Sequence, residues 1–571
     1  MEDHAFATLT PTNVVARLAF SEVFDAFTAG RQNIVEDGVP TCRRMFTGPQ
    51  QEYDGDVLRL KLEVARLAQE DPPGEGETSE SLTEPGTDTE LELRAHGMIW
   101  SGHYSLDFEL PPSTPELGWT MGKAPLDKNI PGVDLVLCTR SFAKKYGISL
   151  RNMHARFNFA PENRAFFVAG CSRSRLTQLT VNGETVQRRL FALNQHTMKI
   201  TADKLEYTFQ YTAFADTAAF RMERSGYLTG AMGAPALVDF EVPTPLHDTR
   251  TIGQWTLGEP LGRGGHGRVF LATNLKNEVA AVKLVERTRK TAEAVDAEVA
   301  IYNQVTELAE RWDAGERIVR QTEVLYSKGE VFSSKVAFDD GAMVLQPMTP
   351  RTFSDLVGAG NSGRSKGMSM AAADAFRDAL QAVAIMHSHD WVHRDLKPAN
   401  IGVIGPPKGP PLRAVLLDVG TSVHLEAGAT IQPTPGGGGT LGYIAPEREL
   451  EYYDRSVDIW AMGVIGYELC YGRHPWKFSR NPWRGGEENE ELRRVFQEHY
   501  DRAIDELTSD YESASKSPVD GYIHRALLVE MLRHDWAADN HARRININEV
   551  LDHPNWGPLL PKQPRIKRER R

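Results

Sequence analysis

The spacing of hydrophobic and polar residues changes along this chain, and each spacing predicts a different kind of structure. Residues 57–67 (VLRLKLEVARL) fit an amphipathic helix, although the alternation at their start also suits a strand. Between residues 98 and 210, turn residues separate short, half-alternating apolar runs, which is typical of an all-β sandwich. From residue 251 onward, strand-like runs are followed by helical periodicity, as in AFRDALQAVAIMH. The apolar runs of the β-rich region are YSLDFEL, VDLVL, ARFNFA, AFFVAG, LTVNG and LEYTFQY.

The composition fits a globular protein with several domains. At ~100 to 200 residues per domain, a chain of 571 residues predicts about three to five units. No apolar stretch approaches the ~18 residues that a membrane span needs. The first residues, MEDHAFATLT, lack the basic and apolar segments of a secretory signal. We therefore expect an intracellular protein, in the nucleus or the cytoplasm, that has no membrane partner.

Cysteine content and net charge argue against two further classes of protein. The four cysteines are too few and too widely separated for a disulfide framework or a thiolate metal site. The net charge of −12 argues against direct binding of nucleic acid, because contacts to phosphates need clustered Lys and Arg. Part of this acidity is local, since residues 70–92 hold nine Asp or Glu and no Lys or Arg. We predict that this segment is a disordered linker.

These patterns divide the chain into five parts, of which the first ends in the acidic linker. The predicted parts are a variable N-terminal region (1–95), a β-sandwich (96–225), a linker (226–250), an α+β domain (251–558) and a basic tail (559–571). The tail is either a nuclear-import signal or a solvated chain end. We assign no chemistry to residues 1–95.

A glycine-rich segment, LGRGGHGRV, opens the α+β domain. Gly262, Gly264 and Gly267 match a pattern that either starts a dinucleotide-binding helix or forms a hairpin over phosphate groups. The residues that follow read as strand, turn and strand, which favours the hairpin. Lys283 lies on the second of these strands, between apolar neighbours, where its ammonium group can reach nucleotide phosphates.

A helix is predicted after Lys283, from about residue 291 to residue 309. Its apolar stripe consists of Val295, Val299, Tyr302 and Val305. Glu298 borders this stripe and is the preferred partner for Lys283. Glu307 is the rival acid, but the charges that follow it lie where the helix should pack.

The segment HRDLKPAN holds three polar residues whose chemistry suits phosphoryl transfer. Asp395 is placed to orient a hydroxyl proton, and Lys397 can neutralise charge on a moving phosphoryl group. Asn400 offers an amide oxygen to a metal ion. Eighteen residues later, Asp418 provides a hard carboxylate ligand of the kind that Mg²⁺ prefers.

Residues 252–558 resemble a eukaryotic protein kinase of the serine/threonine type, on these motifs and on GTLGYIAPE and DIWAMG. The resemblance implies a two-lobed α+β fold, protein substrates, and Asp395 as catalytic base with Lys397 beside it. It implies Mg²⁺ at Asn400 and Asp418. It also implies an ATP site formed by Leu261, Gly262, Gly264, Gly267, Val269, Lys283, Glu298, Gln346 and Met348, with Leu345 as gatekeeper and a buried ion pair between Glu447 and Arg544.

The kinase-like segment departs from the family in two places. Val419 stands where the family has Phe in its D-F-G motif, and the connection between Glu298 and Leu345 is longer than usual. Neither change removes a polar group of the template, so we expect an active enzyme. The alternatives are a pseudokinase or phosphoprotein adaptor that serves as a scaffold, and a small-molecule kinase, which the GT-x-GY-x-APE segment disfavours.

Phosphorylation of the kinase-like segment itself is a further expectation from the resemblance. Arg394, next to the predicted base, commonly pairs with a phosphate on the activation segment in kinases of this type. The candidate acceptors are Thr421, Ser422, Thr430 and Thr434.

The β-rich region resembles a forkhead-associated (FHA) domain, on GISLRNMHARFNF, LTVNGETV and LEYTFQY. His154 matches the family's S-x-x-H motif, and Asn182 matches its later Asn-Gly. Lys123 and Arg151 stand where the family has Arg and Ser, and Thr177 stands near its peptide-gripping Asn. The resemblance implies a sandwich that binds phosphothreonine-containing proteins, and a sandwich kept for packing is the alternative. An FHA-like domain followed by a kinase resembles FHA-containing checkpoint kinases.

Overall fold

The computed structural model forms two compact units. The first consists of Met1–Gly258 and Ala272–Glu278, and the second of Glu259–Leu271 and Val279–Arg571. Among the described residues, no helix is both long enough and apolar enough to cross a membrane. The described residues are 4–29, 44–70, 97–123, 132–171, 179–186, 190–233, 240–245, 250–264, 267–326, 341–359, 368–405, 412–426, 428–433, 438–450, 452–476, 481–483, 489–514, 525–534 and 544–556.

The described residues of the first unit form two β-sheets and four α-helices. The seven-stranded sheet has the order β2-β3-β1-β12-β11-β8-β9, and the five-stranded sheet has the order β10-β7-β6-β4-β5. The strands are β1 (Ala7–Pro11), β2 (Met45–Glu52), β3 (Met98–Leu106), β4 (Trp119–Lys123), β5 (Leu135–Cys138), β6 (Ala155–Phe159), β7 (Phe166–Gly170), β8 (Leu179–Val181), β9 (Glu184–Thr185), β10 (Leu190–Ala192), β11 (Thr197–Ala202) and β12 (Leu205–Tyr211). The helices are α1 (Val14–Ala29), α2 (Gly55–Glu70), α3 (Arg140–Lys145) and α4 (Ala218–Met232).

Alternating side chains of both sheets form one core. In β12, every second residue from Leu205 to Tyr211 is buried, which is the period that a half-buried strand requires. Phe157 of β6 stacks against Phe209 of β12 at 6.2 Å between ring centroids, so the two sheets share aromatic packing. The all-β part of the prediction is confirmed in this coarse form, whereas the FHA-like identity stays a prediction.

The beginning of the chain belongs to the same sheet, which differs from the predicted organisation. Leu9 of β1 pairs with Phe209 on one side and with Tyr104 on the other, so β1 lies inside the seven-stranded sheet. The predicted N-terminal region therefore contributes a central strand, and helix α4 runs across the predicted boundary at residue 225. Residues 57–67 are helical, within α2. Most of the predicted acidic linker, 71–92, lies outside the described residues.

The described residues of the second unit form most of a six-stranded sheet, two small sheets and a helical part. The six strands have the order β13-β14-β15-β16-β18-β17. The strands are β13 (Thr251–Ile252), β14 (Trp255–Gly264), β15 (Gly267–Thr273), β16 (Val279–Val285), β17 (Arg320–Tyr326), β18 (Gly341–Gln346), β19 (Arg351–Thr352), β20 (Trp391–Val392), β21 (Ile401–Ile404), β22 (Arg413–Leu416) and β23 (Val423–His424). The helices are α5 (Ala292–Arg311), α6 (Phe353–Ala359), α7 (Met370–Ser388), α8 (Pro446–Leu450), α9 (Ser456–Tyr471), α10 (Glu490–Ala514), α11 (Arg525–Met531) and α12 (Ile547–Leu551).

Helix α9 is the central element of the helical part. It is buried on every side from Val457 to Cys470, which explains its lack of a polar face. Close packing against α11 depends on glycine, because a Cβ on Gly466 would lie 2.4 Å from the side chain of Leu528. Helix α9 therefore provides a fixed base for the chain segments that pass over it.

Asp134 makes a buried polar contact between segments of the first unit. Its carboxylate is 4% exposed and accepts hydrogen bonds from the amides and hydroxyls of Ser113 and Thr120 at 2.7–2.9 Å. Because Asp134→Ala strands these donors, we expect the free energy of unfolding of this unit to fall by about 3 kcal/mol. Chemical denaturation of the full chain measures this loss. An equal loss in the exposed-residue control Glu184→Ala would contradict the assignment.

Candidate active site

Three charged groups meet where β16, α5 and the segment after β22 come together. Lys283 Nζ donates a hydrogen bond to Glu298 Oε1 at 2.5 Å and to Asp418 Oδ1 at 3.3 Å. Burial by itself lowers the pKa of Lys283, but the carboxylates of Asp418 and Glu298 raise the pKa above its usual value. The lysine therefore stays charged. Glu307, the rival acid, lies on the exposed side of α5.

Asp418 combines a fixed oxygen with an accessible one. Its Oδ1 accepts from Lys283 and, at 3.4 Å, from the hydroxyl of Tyr302. Its side chain is 43% exposed, and Oδ2 makes no hydrogen bond within the described residues. Burial opposes ionisation, but Lys283 outweighs it and lowers the pKa of Asp418 below its usual value. A charged carboxylate with one open oxygen suits a hard cation.

Val419 fills the position that distinguishes this chain from the kinase D-F-G motif. It is completely buried and belongs to the same apolar cluster as Tyr302. The smaller side chain is therefore part of the apolar core at this position.

The segment that contains Asp395 forms a compact hydrogen-bonded cluster. Lys397 Nζ donates to Asp395 Oδ2 at 2.9 Å and to the hydroxyl of Thr440 at 2.8 Å. The same hydroxyl donates to Asp395 Oδ1 at 2.8 Å. Asn400 Nδ2 donates to the carbonyl of Asp395 at 2.8 Å and to its Oδ2 at 3.1 Å. The amide oxygen of Asn400 has no hydrogen-bond partner among the described residues, so it remains available as a ligand.

The backbone of this segment is held by Asp458 from helix α9. The carboxylate of Asp458 accepts from the amides of His393 and Arg394 at 2.8 and 2.9 Å and hydrogen-bonds His387 Nε2 at 2.9 Å. His393 Nε2 in turn contacts the carbonyl of Leu417 at 3.0 Å, one residue before Asp418. One buried carboxylate thus fixes the segment that presents Asp395 and links it to Asp418.

The predicted nucleotide-binding residues line the strands around Lys283. Gly262 and Gly264 end β14 and Gly267 begins β15, while residues 265–266 between them lie outside the described residues. A Cβ on Gly267 would come within 2.1 Å of the carbonyl oxygen of Leu284, whereas a Cβ on Gly262 would meet open space. Gly267 is therefore required by the strand pairing. Gly262 instead leaves the backbone accessible from outside.

The other predicted contacts of this region lie on the same sheet or just after it. Val269 is half-buried on β15, and Leu261 is exposed at the end of β14. Leu345 is buried opposite Ala281 on β18, and Gln346 Nε2 donates to the carbonyl of Val279 at 3.1 Å. The half-buried Met348 follows β18.

The structure also brings together Glu447 and Arg544, the predicted ion pair of the helical part. Both guanidinium Nη atoms of Arg544 donate to the carboxylate of Glu447, and Nη1 also donates to the carbonyl of Ser456 at 2.9 Å. The guanidinium lies over the Trp460 ring at 5.2 Å. The pair therefore anchors the start of α8 to α9.

The candidate acceptors of activating phosphate differ in accessibility. Ser422 is 1% exposed, and the hydroxyl of Thr421 donates to the carbonyl of His393 at 3.1 Å. Thr430 is exposed, and Thr434 lies outside the described residues. Of the three described candidates, Thr430 is the one that a modifying enzyme can reach without local opening.

In the first unit, the predicted phosphopeptide residues lie at strand ends. The amide of Lys123 donates to the carbonyl of Arg151 at 3.0 Å, which places these two cationic residues on adjacent segments. His154 is buried beside them, and burial lowers its pKa to about 4. Asn182 has φ +49° and pairs with Lys199 and Gln195. Thr177 lies outside the described residues.

Two polar residues of the second unit were not predicted as a pair from the sequence. The hydroxyl of Tyr443 donates to Glu468 Oε2 at 2.8 Å, and Glu468 lies 7% exposed on α9. Burial raises the pKa of Glu468 to about 7. Tyr443 belongs to the GTLGYIAPE motif, so its importance was visible, but its partner was hidden within an apolar helix.

Comparison with known proteins gives one family. A protein kinase domain model matches residues 255–556. The serine/threonine-protein kinase PEPKR2 of Arabidopsis thaliana is 28% identical over 302 residues, which cover 52% of this chain and 53% of the relative. Calcium-dependent protein kinase 22 of the same plant is 27% identical, with 56% of this chain and 57% of the relative covered.

A third relative shares a similar fraction of identical residues with the chain. Calcium/calmodulin-dependent protein kinase type 1 of Caenorhabditis briggsae is 27% identical over 247 residues, or 42% of this chain and 60% of the relative. The chain thus spans between about half and three fifths of the length of these three relatives. The residues matched by the family model include Lys283, Glu298, Asp395 and Asp418.

Glu468 generates a prediction about pH. Its folded pKa of about 7 exceeds the ordinary 4.5, so its contribution to stability is full below pH 4.5 and is lost as the pH rises through 7. Glu468→Gln stays neutral and keeps an acceptor for Tyr443. We expect the free energy of unfolding of this variant, relative to wild type, to rise by about 2 kcal/mol between pH 5 and pH 8. Denaturant titrations at the two pH values test this, with exposed Glu490→Gln as control. A relative stability that does not change with pH would contradict it.

Proposed function

The chain belongs to the protein kinase family, and on this premise we propose that it transfers the γ-phosphate of ATP to serine or threonine hydroxyls of proteins. The observation that carries the proposal is the contact of Lys283 with both Glu298 and Asp418. These contacts hold the ammonium group of Lys283 and the carboxylate of Asp418 at fixed positions. The backbone of β14 is open to a ligand at Gly262. The name of one relative, the serine/threonine-protein kinase PEPKR2, supports serine and threonine as acceptors.

ATP with Mg²⁺ would supply the phosphoryl group, and the residues present fit both. Lys283 is charged and positioned for phosphate oxygens, and the backbone at Gly262 is open to a ligand. The unbonded amide oxygen of Asn400 and the accessible oxygen of Asp418 are the ligands we assign to Mg²⁺. These residues would bind the nucleotide and the metal ion and orient them.

The proposed catalytic base is Asp395. Its two carboxylate oxygens accept hydrogen bonds from Lys397, Thr440 and Asn400, and these donors fix the orientation of the group. A substrate hydroxyl next to it would give up its proton to this carboxylate. Lys397, which is hydrogen-bonded to Asp395, would neutralise charge on the transferred phosphoryl group.

For the first unit we propose binding of phosphothreonine peptides, with Lys123 and Arg151 as phosphate contacts. The observation in favour is the bond of the Lys123 amide to the Arg151 carbonyl, because it places two cationic residues on adjacent segments. Two charge-assisted hydrogen bonds to a phosphate dianion support weak, salt-sensitive recognition.

Replacement of the proposed base tests the enzymatic proposal. We expect Asp395→Asn to lower the turnover number by about 100-fold or more, because the amide cannot accept the proton. The assay is phosphate transfer from labelled ATP to a generic protein substrate, with purified full-length chain. Asp505→Asn is the matched control, since Asp505 is exposed on α10.

Two results would contradict the enzymatic proposal. One is wild-type protein that transfers no phosphate while folded and supplied with Mg²⁺, which would favour a scaffold. The other is an Asp395→Asn variant that retains wild-type turnover.

Phosphopeptide titration of the full-length chain tests the second proposal. We expect Lys123→Ala and Arg151→Ala each to weaken binding of a phosphothreonine peptide by about tenfold or more, because each removes a charge-assisted contact. The unphosphorylated peptide and the exposed-residue variant Lys144→Ala are the controls. Equal affinity for both peptides would instead support a sandwich that serves packing alone.

A further inference from the structure

Arg448 is a buried arginine in the second unit that bridges two chain segments. It follows Glu447 in helix α8 and is 6% exposed. Its Nη1 donates to the carbonyl of Arg394, and its Nη2 donates to the carbonyl of Gly438 at 2.9 Å. One guanidinium group therefore joins the segment that carries Asp395 to the segment that carries Thr440.

The two segments need unusual backbone conformations to reach this guanidinium. Arg394 has φ +72°, and Gly438 and Gly439 have φ +101° and +95°. A Cβ on Gly439 would lie 2.7 Å from Arg448 Nη1, so the glycine backbone packs directly on the guanidinium. A residue with a side chain is disfavoured there both by its φ and by this contact. The two hydrogen bonds of Arg448 thus stabilise positive-φ backbone conformations that would otherwise be unfavourable.

Each bridged carbonyl lies close in sequence to a residue of the proposed base cluster. Arg394 is followed directly by Asp395, and Gly438 precedes Thr440 by two residues. The hydroxyl of Thr440 donates to Asp395 Oδ1 and accepts from Lys397. A change in the distance between the two carbonyls would therefore move Thr440 relative to Asp395.

Charge pairing does not account for the position of Arg448. Burial lowers the pKa of its guanidinium, and the positive charge of Arg394 lowers it further. Within the described residues, its guanidinium donates to two backbone carbonyls and to no carboxylate. Two separate NH₂ groups on a planar fork can serve two carbonyls at once, and a lysine ammonium group is a poor substitute for this geometry.

We infer that Arg448 is a positioning residue for phosphoryl transfer, which holds Thr440 against Asp395 by bridging the carbonyls of Arg394 and Gly438. The inference rests on the proposed kinase activity. Arg448 acts through Thr440 and does not contact ATP, so its loss affects the reaction and leaves nucleotide affinity unchanged.

Steady-state kinetics of full-length Arg448→Met and Arg448→Lys test the inference. We expect the turnover number of Arg448→Met to fall at least tenfold, while the dissociation constant for ATP stays within twofold of wild type. Arg448→Lys should be intermediate, because it keeps a charged donor group but loses the planar fork that serves two carbonyls at once. The control Arg494→Met removes an exposed arginine of α10 and should leave both constants unchanged.

A double-mutant cycle distinguishes this role from a general loss of stability. If Arg448 acts through Thr440, then Arg448→Met should reduce turnover by less than twofold in the Thr440→Ala background. Fully additive losses would overturn the inference, as would wild-type turnover in a folded Arg448→Met protein. If Arg448→Met fails to fold, the same cycle is carried out with Arg448→Lys. The turnover loss caused by this substitution is then compared between the wild-type and Thr440→Ala backgrounds. An inactive wild type would instead refute the proposed function itself.

Discussion

The buried carboxylate of Asp458 is the contact on which the rest of the site depends. It is 1% exposed on a helix that is apolar on all sides, and burial alone would favour its neutral form. Hydrogen bonds from His387 and from the Arg394 amide lower its pKa below the usual range, so it remains charged. A charged acceptor binds backbone amides more strongly than a neutral one. The positive φ of Arg394, and with it the placement of Asp395, is maintained by this acceptor.

A second group of contacts relates helix α5 to the Asp418 segment. Glu298 neutralises Lys283 at 2.5 Å, and a Cβ on Gly420 would lie only 2.7 Å from Glu298 Oε1. The backbone after Val419 therefore packs directly on the ion pair. Loss of Glu298 would leave Lys283 with Asp418 alone, and loss of Lys283 would leave two carboxylates close together. Loss of Lys283 therefore leaves the buried carboxylate of Glu298 without a compensating charge, which costs several kcal/mol.

The sequence predicted the parts of the site that are encoded by local spacing. The stripe of Val295, Val299, Tyr302 and Val305 is buried as expected, and Glu298 beside it meets Lys283. The position of β1 was not predictable in this way. Its five residues carry no signal that distinguishes a central strand from a separate N-terminal segment, because strand pairing depends on partners about 95 to 200 residues distant.

Two contacts were not predicted from the sequence, that of Arg448 with Gly438 and that of Tyr443 with Glu468. In each of them, one partner is a backbone group or a residue inside an apolar helix. The carbonyl of Gly438 has no side chain that could signal its bond to Arg448, and Glu468 stands within a helix that reads as core. Sequence patterns report which side chains are chemically suited to a reaction. The backbone conformations at Arg394, Asp418, Gly438 and Gly439 decide whether those side chains meet, and these φ values follow from tertiary hydrogen bonds. The reactive groups of this site are therefore readable from local motifs, whereas the bonds that orient them become visible only in the folded chain.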